Sequence, residues 1–228
     1  MARLNRIVLP GIAHHVTQRG NRRERVFFED GDYALYLDLL TDAANRAAVE
    51  IWSYCLMPNH VHIIAVPADI DGLRRVFRYV HRHYAGYINA RLRVTGHLWQ
   101  GRFSSVAMDE PHLCAAFRYG ALNPVRARLV ARAEEWLWSS AQAHLAGQDN
   151  AIVKVAPALD RVGDFKAFLG DEFDEAFTYA ALRKAESVGR PVGSAEWLAD
   201  MEAKTGMAFK PAKRGPRPRI SEFLHLSP

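Results

Sequence analysis

The pattern of apolar and polar positions changes period several times along the first 130 residues, and each change predicts a new element. Short β-branched or alternating runs predict strands at 11–19, 49–56, 60–66 and 102–108. Apolar residues at helical spacing predict helices at 30–48, 70–94 and 112–123, with Pro124 ending the last one. The predicted order is therefore βαββαβ, followed by one further helix.

This order is typical of the ferredoxin-like split βαβ fold, an α+β architecture with helices on one face of an antiparallel sheet. Pro58 and Asn59 separate the second and third strands and predict a hairpin. We expect this domain to occupy residues 1–147, with Trp136 and Trp138 packing back onto its core. A small helical extension over 148–203 and a flexible basic tail over 204–228 would follow.

The third strand carries two histidines in an otherwise apolar run. Side chains alternate between the faces of a strand, so His60, His62 and Ile64 share one side while Val61 and Ile63 face the other. Two imidazoles on one side can bind one metal ion. These residues alone leave open the alternative that the histidines only form hydrogen bonds at a sheet surface.

Two other histidines, His14 and His15, lie next to each other in the first strand. Adjacent strand residues point to opposite faces, so this pair is poorly placed to chelate one ion. We interpret both as ordinary strand histidines.

Tyr119 and Asn123 are four residues apart in the last predicted helix, so they share a face about one turn apart. A phenol is protonated at neutral pH, and its attack on a phosphodiester therefore needs assistance. A divalent ion held by His60 and His62 would polarise the phosphate. An oxygen ligand from Asn123 would favour Mg²⁺ or Mn²⁺.

The charge of the chain indicates a polyanionic partner. The 228 residues carry a net charge of +5, and every lysine or arginine before Lys154 is arginine. Arginine suits phosphate and base edges, although a GC-rich coding bias would also replace lysine by arginine. The segment 204–219 has six basic residues, no acidic residue and several prolines. It is a candidate DNA-tethering arm or, alternatively, a disordered solubilising tail.

Other features of the sequence exclude several classes of protein. Cys55 and Cys114 fit no CxxC pattern, which excludes a cysteine-based zinc site and a disulfide framework. The sequence shows no apolar run of transmembrane length and no signal peptide. We therefore expect a soluble cytoplasmic protein with no membrane partner.

Four separated motifs resemble one protein family. Residues 59–62, Asn-His-Val-His, resemble the His-hydrophobic-His element of the HUH single-strand endonucleases. Residues 118–127, Arg-Tyr-Gly-Ala-Leu-Asn-Pro-Val-Arg-Ala, resemble the tyrosine segment of single-tyrosine transposases, and residues 15–21 and 99–103 are similar to the same family. The branch resembled over residues 10–145 is that of the REP-associated tyrosine transposases of bacteria. Residues 189–193 and 213–219 are similar to the C-terminal extension of this branch.

The resemblance implies cleavage and rejoining of single-stranded DNA near a short imperfect palindromic hairpin. Tyr119 would form a 5′-phosphotyrosine link and release a 3′-hydroxyl. His60 and His62 would be metal ligands and Asn123 the third, where relatives often carry the longer glutamine. The resemblance further implies a monomer located with the bacterial nucleoid, although exchange of the tyrosine helix between subunits would require a dimer.

Basic residues are expected to hold the hairpin and the flanking strand, with arginines on phosphates and aromatic rings stacking on unpaired bases. The predicted DNA-binding residues are Arg19, Arg22, Arg23, Arg25, Arg78, Arg82, Arg102, Lys213, Arg214, Arg217 and Arg219.

Two alternatives from other functional classes remain open at the level of the sequence. One is a domesticated hairpin-DNA-binding protein that keeps the fold and the basic surface without catalysis. The other is an unrelated metallohydrolase built around His60 and His62, in which Tyr119 has no role.

Overall fold

A four-stranded antiparallel sheet forms the centre of the computed structural model, which describes residues 6–171, 179–180, 184 and 189–209. Its strands are β1 (His14–Arg19), β2 (Val49–Met57), β3 (His60–Pro67) and β4 (Ser104–Ala107). The spatial order is β2-β3-β1-β4, and all neighbours are antiparallel. The predicted α+β class, the βαββαβ order and the hairpin of β2 with β3 are confirmed.

Helices connect and cover these strands. They are α1 (Asp30–Arg46), α2 (Gly72–Leu92), α3 (Glu110–Arg126), α4 (Ala141–Ala146), α5 (Ala156–Val162), α6 (Phe165–Gly170) and α7 (Ala195–Thr205). Short 3-10 turns lie at Asn21–Arg23 and Ala133–Glu135. Among the described residues, no helix combines the length and the apolar character needed to cross a membrane.

The two faces of the sheet are covered by different helices. Val61 and Ile63 of β3 belong to the core formed with α1 and α2, whereas Ile64 belongs to a second core formed with α3. The two helices of the βαββαβ unit, α1 and α2, therefore share one face as the sequence predicts, and α3 covers the other. The strand pattern explains the difference, because β3 is apolar on both of its sides and needs cover on both.

Helix α3 begins as predicted but ends later. The Asp109 carboxylate accepts a hydrogen bond from the His112 backbone N–H at 3.2 Å and caps the helix. The predicted end at Asn123 was wrong, since the helix continues through Pro124 to Arg126. A proline inside a helix removes one backbone donor, but here the next bond forms again, from the Ala127 N–H to the Asn123 carbonyl at 2.9 Å.

Segments on both sides of residue 147 pair with the edges of the sheet. The Leu56 N–H donates to the Trp138 carbonyl at 2.8 Å, and the Lys154 N–H donates to the Ile51 carbonyl at 2.9 Å. At the other edge, the Val192 N–H donates to the Ala107 carbonyl at 2.9 Å. These bonds cover the edges of β2 and β4. The division of the chain at 147 and 203 stays a prediction.

The two tryptophans after α3 return to the core, as the sequence predicts. The Trp138 ring stacks on Tyr33 with the centroids 4.8 Å apart, and the Trp136 indole N–H donates to the Leu56 carbonyl at 3.0 Å. Both contacts fix the chain after α3 against β2 and α1.

His81 of α2 is a buried imidazole whose titration is linked to folding. Its Nε2 lies 3.0 Å from the Tyr36 hydroxyl, and its ring is 4.9 Å from Trp99. Burial, and then the charge of Arg6, lower the pKa of His81 from 6.5 to about 3. The folded protein therefore holds this ring neutral.

We expect His81 to make the fold sensitive to acid. Its folded pKa lies below its unfolded value, so its contribution is complete above pH 6.5 and is lost as the pH falls below it. Each pH unit below 6.5 costs about 1.4 kcal/mol of unfolding free energy. Urea unfolding of His81→Gln should therefore show a slope of stability against pH that is shallower by about this amount. Equal slopes for the two proteins would contradict the assignment.

Candidate active site

The pairing of β1 with β3 and the packing of α3 bring the candidate residues together. His62 is paired with Thr17 and His15 with Ile64, so His15 and His62 lie diagonally on the sheet face that α3 covers. The Tyr119 ring lies 5.1 Å from the His62 ring, edge to face at 84°. Residues 57 positions apart in the sequence thus meet within one chain.

His60 has a defined arrangement of its ring nitrogens. Its Nδ1 lies 2.5 Å from the Asn59 Oδ1, and the Asn59 Nδ2 donates to the Arg23 carbonyl at 2.9 Å. The second bond fixes which side of the amide faces the histidine. Because an amide oxygen can only accept, the His60 proton is on Nδ1 and the Nε2 lone pair is available.

His62 lies beside His60, with the ring centroids 4.8 Å apart and nearly perpendicular. The His62 side chain is only 3% exposed. Its Nδ1 is 3.0 Å from Nε2 of the buried His15, whereas its own Nε2 is buried and has no hydrogen-bond partner among the residues that the structure describes. A buried polar atom that lacks a partner is costly, and such atoms are found at sites that bind a ligand.

The three imidazoles are neutral at pH 7. Burial is the main cause in each case and lowers the pKa of His15 and of His60 to about 4, with a further contribution from Arg19 at His60. The pKa of His62 falls well below 6.5 through burial and through the charges of the other two histidines, Arg19 and Arg126. Neutral imidazole is the form that coordinates a metal ion.

The types of donor atom present suit a divalent ion with nitrogen and oxygen ligands. His60 and His62 each offer Nε2, and Asn123 is buried, with an amide nitrogen that has no hydrogen-bond partner among the described residues. In the described part of the chain, histidine, cysteine and acidic side chains form no group of three that could hold a metal. Within that part of the chain, a third protein ligand would be of another type, such as the amide oxygen of Asn123.

An arginine and a second tyrosine contact Tyr119. The exposed Arg126 places its guanidinium carbon 5.0 Å from the centre of the Tyr119 ring and 4.6 Å from that of Tyr179. The buried Tyr179 ring lies 4.7 Å from the Tyr119 ring, and Tyr119 is left 9% exposed. The candidate nucleophile therefore contacts both a cation and an aromatic ring.

The structure places the basic loop after β1 beside the histidine strand. The Gly20 N–H donates to the Asn59 carbonyl at 2.8 Å, and Arg22 and Arg23 have positive φ angles of 53° and 64°. A Cβ on Gly20 would lie 2.3 Å from the Glu24 carbonyl oxygen, so this turn requires glycine. The side chains of Arg22, Arg23 and Arg25 are exposed.

The other predicted DNA-binding residues are distributed around the molecule. Arg19 is half-buried at the end of β1, paired with His60, and Arg102 is exposed just before β4. Arg78 and Arg82 are exposed on α2, the helix that covers the face opposite to Tyr119. Lys213, Arg214, Arg217 and Arg219 lie outside the described residues.

Sequence analysis missed His15, Arg126 and Tyr179 as parts of this site. Arg126 is seven residues after Tyr119, which is about two turns of a helix. This spacing puts both residues on one face and could have indicated their contact. The contacts of His15 and Tyr179 depend on strand register and on tertiary packing, for which the sequence carries no local signal.

Comparisons with known proteins show which proteins this chain is similar to. Residues 9–119 match the family described as IS200-like transposases. The structure is similar to that of a REP-associated tyrosine transposase bound to a REP hairpin, with a TM-score of 0.56 and 20% identity over 68% of this chain and 92% of the other. A search of curated proteins found no significant match.

A candidate transposase from Deinococcus radiodurans R1 is also similar, with 17% identity over 56% of this chain and 92% of the other. Its TM-score of 0.37 is too low to support an argument. The first solved relative shows a shared fold, and the matched segment contains both the histidine strand and Tyr119. Residues 9–119, just under half of the chain, are similar to the IS200-like transposases.

Proposed function

We propose that this protein is a metal-dependent single-stranded DNA endonuclease and strand transferase that cleaves at imperfect palindromic hairpins. The contact of the Tyr119 ring with His62, 5.1 Å away among neutral imidazoles, is the observation that carries the proposal. The match of residues 9–119 to the IS200-like transposase family supports it. The shared fold of a relative that was solved with a REP hairpin supports hairpin DNA as the partner.

Each residue of the site has a distinct role in this proposal. His60 and His62 hold a divalent ion, Mg²⁺ or Mn²⁺, through their Nε2 atoms, and Asn123 is the third ligand. When bound, the ion supplies Lewis-acid polarisation of the scissile phosphate and stabilises the negative charge that develops there. The cover of α3 over this face excludes water and strengthens the electrostatic interactions of the site.

Tyr119 is the nucleophile. Its Oη attacks the phosphorus atom, a bond from phosphorus to the tyrosine oxygen forms, and the bond to the 3′-oxygen of the leaving strand breaks. The phenolic proton ends on that 3′-oxygen, so cleavage leaves a 5′-phosphotyrosine and a free 3′-hydroxyl. No water is consumed, and attack by a 3′-hydroxyl of the same or another strand reverses the step and joins DNA.

Arginines supply the positive charge that this substrate requires. Arg19 and Arg126 both lower the pKa of His62 through their charges, so both guanidinium groups act electrostatically on the proposed metal site. Arg126 also contacts the nucleophile ring at 5.0 Å. A planar guanidinium can bind two phosphate oxygens at once. The exposed loop of Arg22, Arg23 and Arg25 would hold the flanking strand, and the remaining predicted basic residues would contact the hairpin.

The proposed active unit is a monomer in the bacterial cytoplasm, bound to nucleoid DNA. Tyr119 and His62 meet within one chain, so the site needs no exchange of α3 between subunits.

The nucleophile is tested with Tyr119→Phe. Labelled single-stranded hairpins from intergenic DNA of the source genome, incubated with Mn²⁺, should give a covalent protein–DNA adduct with the wild type and none with the variant. Tyr87→Phe, which changes an exposed tyrosine on α2, should keep the adduct. Hairpin binding by the wild type without any adduct would favour the non-catalytic DNA-binding protein. Cleavage unchanged by Tyr119→Phe would favour the metallohydrolase.

The metal ligands are tested with His60→Ala and His62→Ala. Removal of a direct ligand should weaken Mn²⁺ binding by at least about 100-fold, because loss of an outer contact alone costs 10 to 100-fold. Isothermal titration calorimetry measures the affinity, and a gel-shift assay should show that hairpin binding is retained. His83→Ala, at an exposed histidine of α2, is the control. Unchanged Mn²⁺ affinity in both ligand variants would contradict the assignment.

The role of Arg126 is tested against a neighbouring arginine. Arg126→Gln should slow adduct formation by about 10² to 10³-fold, the usual cost of removing one group that stabilises transition-state charge. Arg128→Gln removes the same charge from another exposed position on the chain after α3 and should change the rate little. Single-turnover rates at saturating hairpin separate this effect from binding. Equal effects of the two substitutions would show that Arg126 contributes only general charge.

A further inference from the structure

His15 is the buried imidazole that the proposed mechanism has not yet used. It is 1% exposed, and its Nε2 lies 3.0 Å from Nδ1 of His62. The two rings are close to coplanar, at 15°, with their centroids 5.1 Å apart. This geometry suits a hydrogen bond in the plane of both rings.

Strand register creates this contact. In the β1–β3 ladder, His15 is opposite Ile64 and Thr17 is opposite His62, so His15 reaches His62 on the diagonal. Both histidines lie in central strands of the sheet. The Tyr119 ring lies 6.3 Å from the His15 ring and 5.1 Å from the His62 ring. His15 therefore lies next to His62 on the side away from His60.

One proton lies between Nδ1 of His62 and Nε2 of His15. Each neutral ring carries a single proton, so either His62 donates from Nδ1 or His15 donates from Nε2. In the first case, the buried His62 Nε2 presents a lone pair. In the second case, it presents an N–H, and a nitrogen that carries a proton has no lone pair for a metal ion.

The hydrogen bond of His60 fixes which of its ring nitrogens carries the proton. Its Nδ1 faces the oxygen of Asn59, which can only accept, so its Nε2 is the free nitrogen. To bind a metal ion together with His60, His62 must also carry its proton on Nδ1 and its lone pair on Nε2. A nitrogen that carries a proton cannot bind a metal ion.

We propose that His15 is a positioning residue of the metal site, which accepts the Nδ1 proton of His62 and so keeps the His62 Nε2 lone pair available to a divalent ion. The inference rests on the proposed function, because it assumes that His60 and His62 bind the ion. His15 acts through His62 and does not touch the metal. Its role resembles the partner hydrogen bonds that orient metal-bound histidines in other proteins.

The proton position is measured directly in the metal-free wild type. Two-bond nitrogen–proton NMR correlations of ¹⁵N-histidine protein distinguish the two neutral tautomers, and His62→Ala assigns the signal. The expected result is a His62 ring protonated at Nδ1. A His62 ring protonated at Nε2 would overturn the proposal, whatever the variants do.

Metal affinity supplies the second test. His15→Phe fills the same space without an acceptor and should weaken Mn²⁺ binding by about 10 to 100-fold, the cost typical of an outer partner. His15→Gln retains an acceptor and should recover most of the affinity. His14→Phe removes the neighbouring buried imidazole, which instead bonds to Leu9 and Ile12, and should leave Mn²⁺ affinity unchanged. Circular dichroism confirms that each variant is folded.

The outcomes separate this inference from the proposed function. If the wild type binds Mn²⁺ and His62→Ala does not, the metal site stands. In that case, wild-type affinity in His15→Phe would overturn the role of His15 alone. If the wild type fails to bind Mn²⁺, the proposed metal site fails and the inference fails with it.

Discussion

The antiparallel pairing of β1 with β3 is the constraint on which the candidate site depends. This ladder sets His15 diagonally beside His62, and it places Arg19 opposite His60. It also buries the rings, and this burial, together with the nearby guanidinium charges at His60 and His62, holds them neutral. Helix α3 then packs on the same face and supplies Tyr119. A shift of one residue in this register would move His62 to the face packed by α1 and α2 and dismantle the site.

The two faces of β3 differ in how much their side chains stabilise the fold, and the histidine face contributes less. Val61 and Ile63 pack in an apolar core, while the opposite face buries imidazoles, among them His62, whose Nε2 has no hydrogen-bond partner in the described part of the chain. An unsatisfied buried polar group costs about 1 to 3 kcal/mol. A sheet face covered by α3 could have been filled with apolar side chains at no such cost. We therefore attribute the buried imidazoles to the metal binding and chemistry proposed for this face.

Local periodicity was enough to predict much of this structure. The alternation along 60–66 identified which side chains share a face, and the spacing of four identified Tyr119 and Asn123 as helix neighbours. Features that depend on contacts between residues distant in the sequence could not be predicted. The face covered by α3, the contact of His15 with His62 and the cover of Tyr119 by Tyr179 each require the register or the tertiary arrangement. Pro124 misled the prediction because only one backbone bond is lost there.

The central claim is that the strand histidines and Tyr119 form one reaction centre, and its most direct measurement is the identity of the residue linked to DNA. Nuclease digestion of the protein–DNA adduct, followed by proteolysis and tandem mass spectrometry, locates the modified side chain. Our account predicts a nucleotide attached through a 5′-phosphate to Tyr119 only. Attachment to Tyr179 or to any other residue would contradict it.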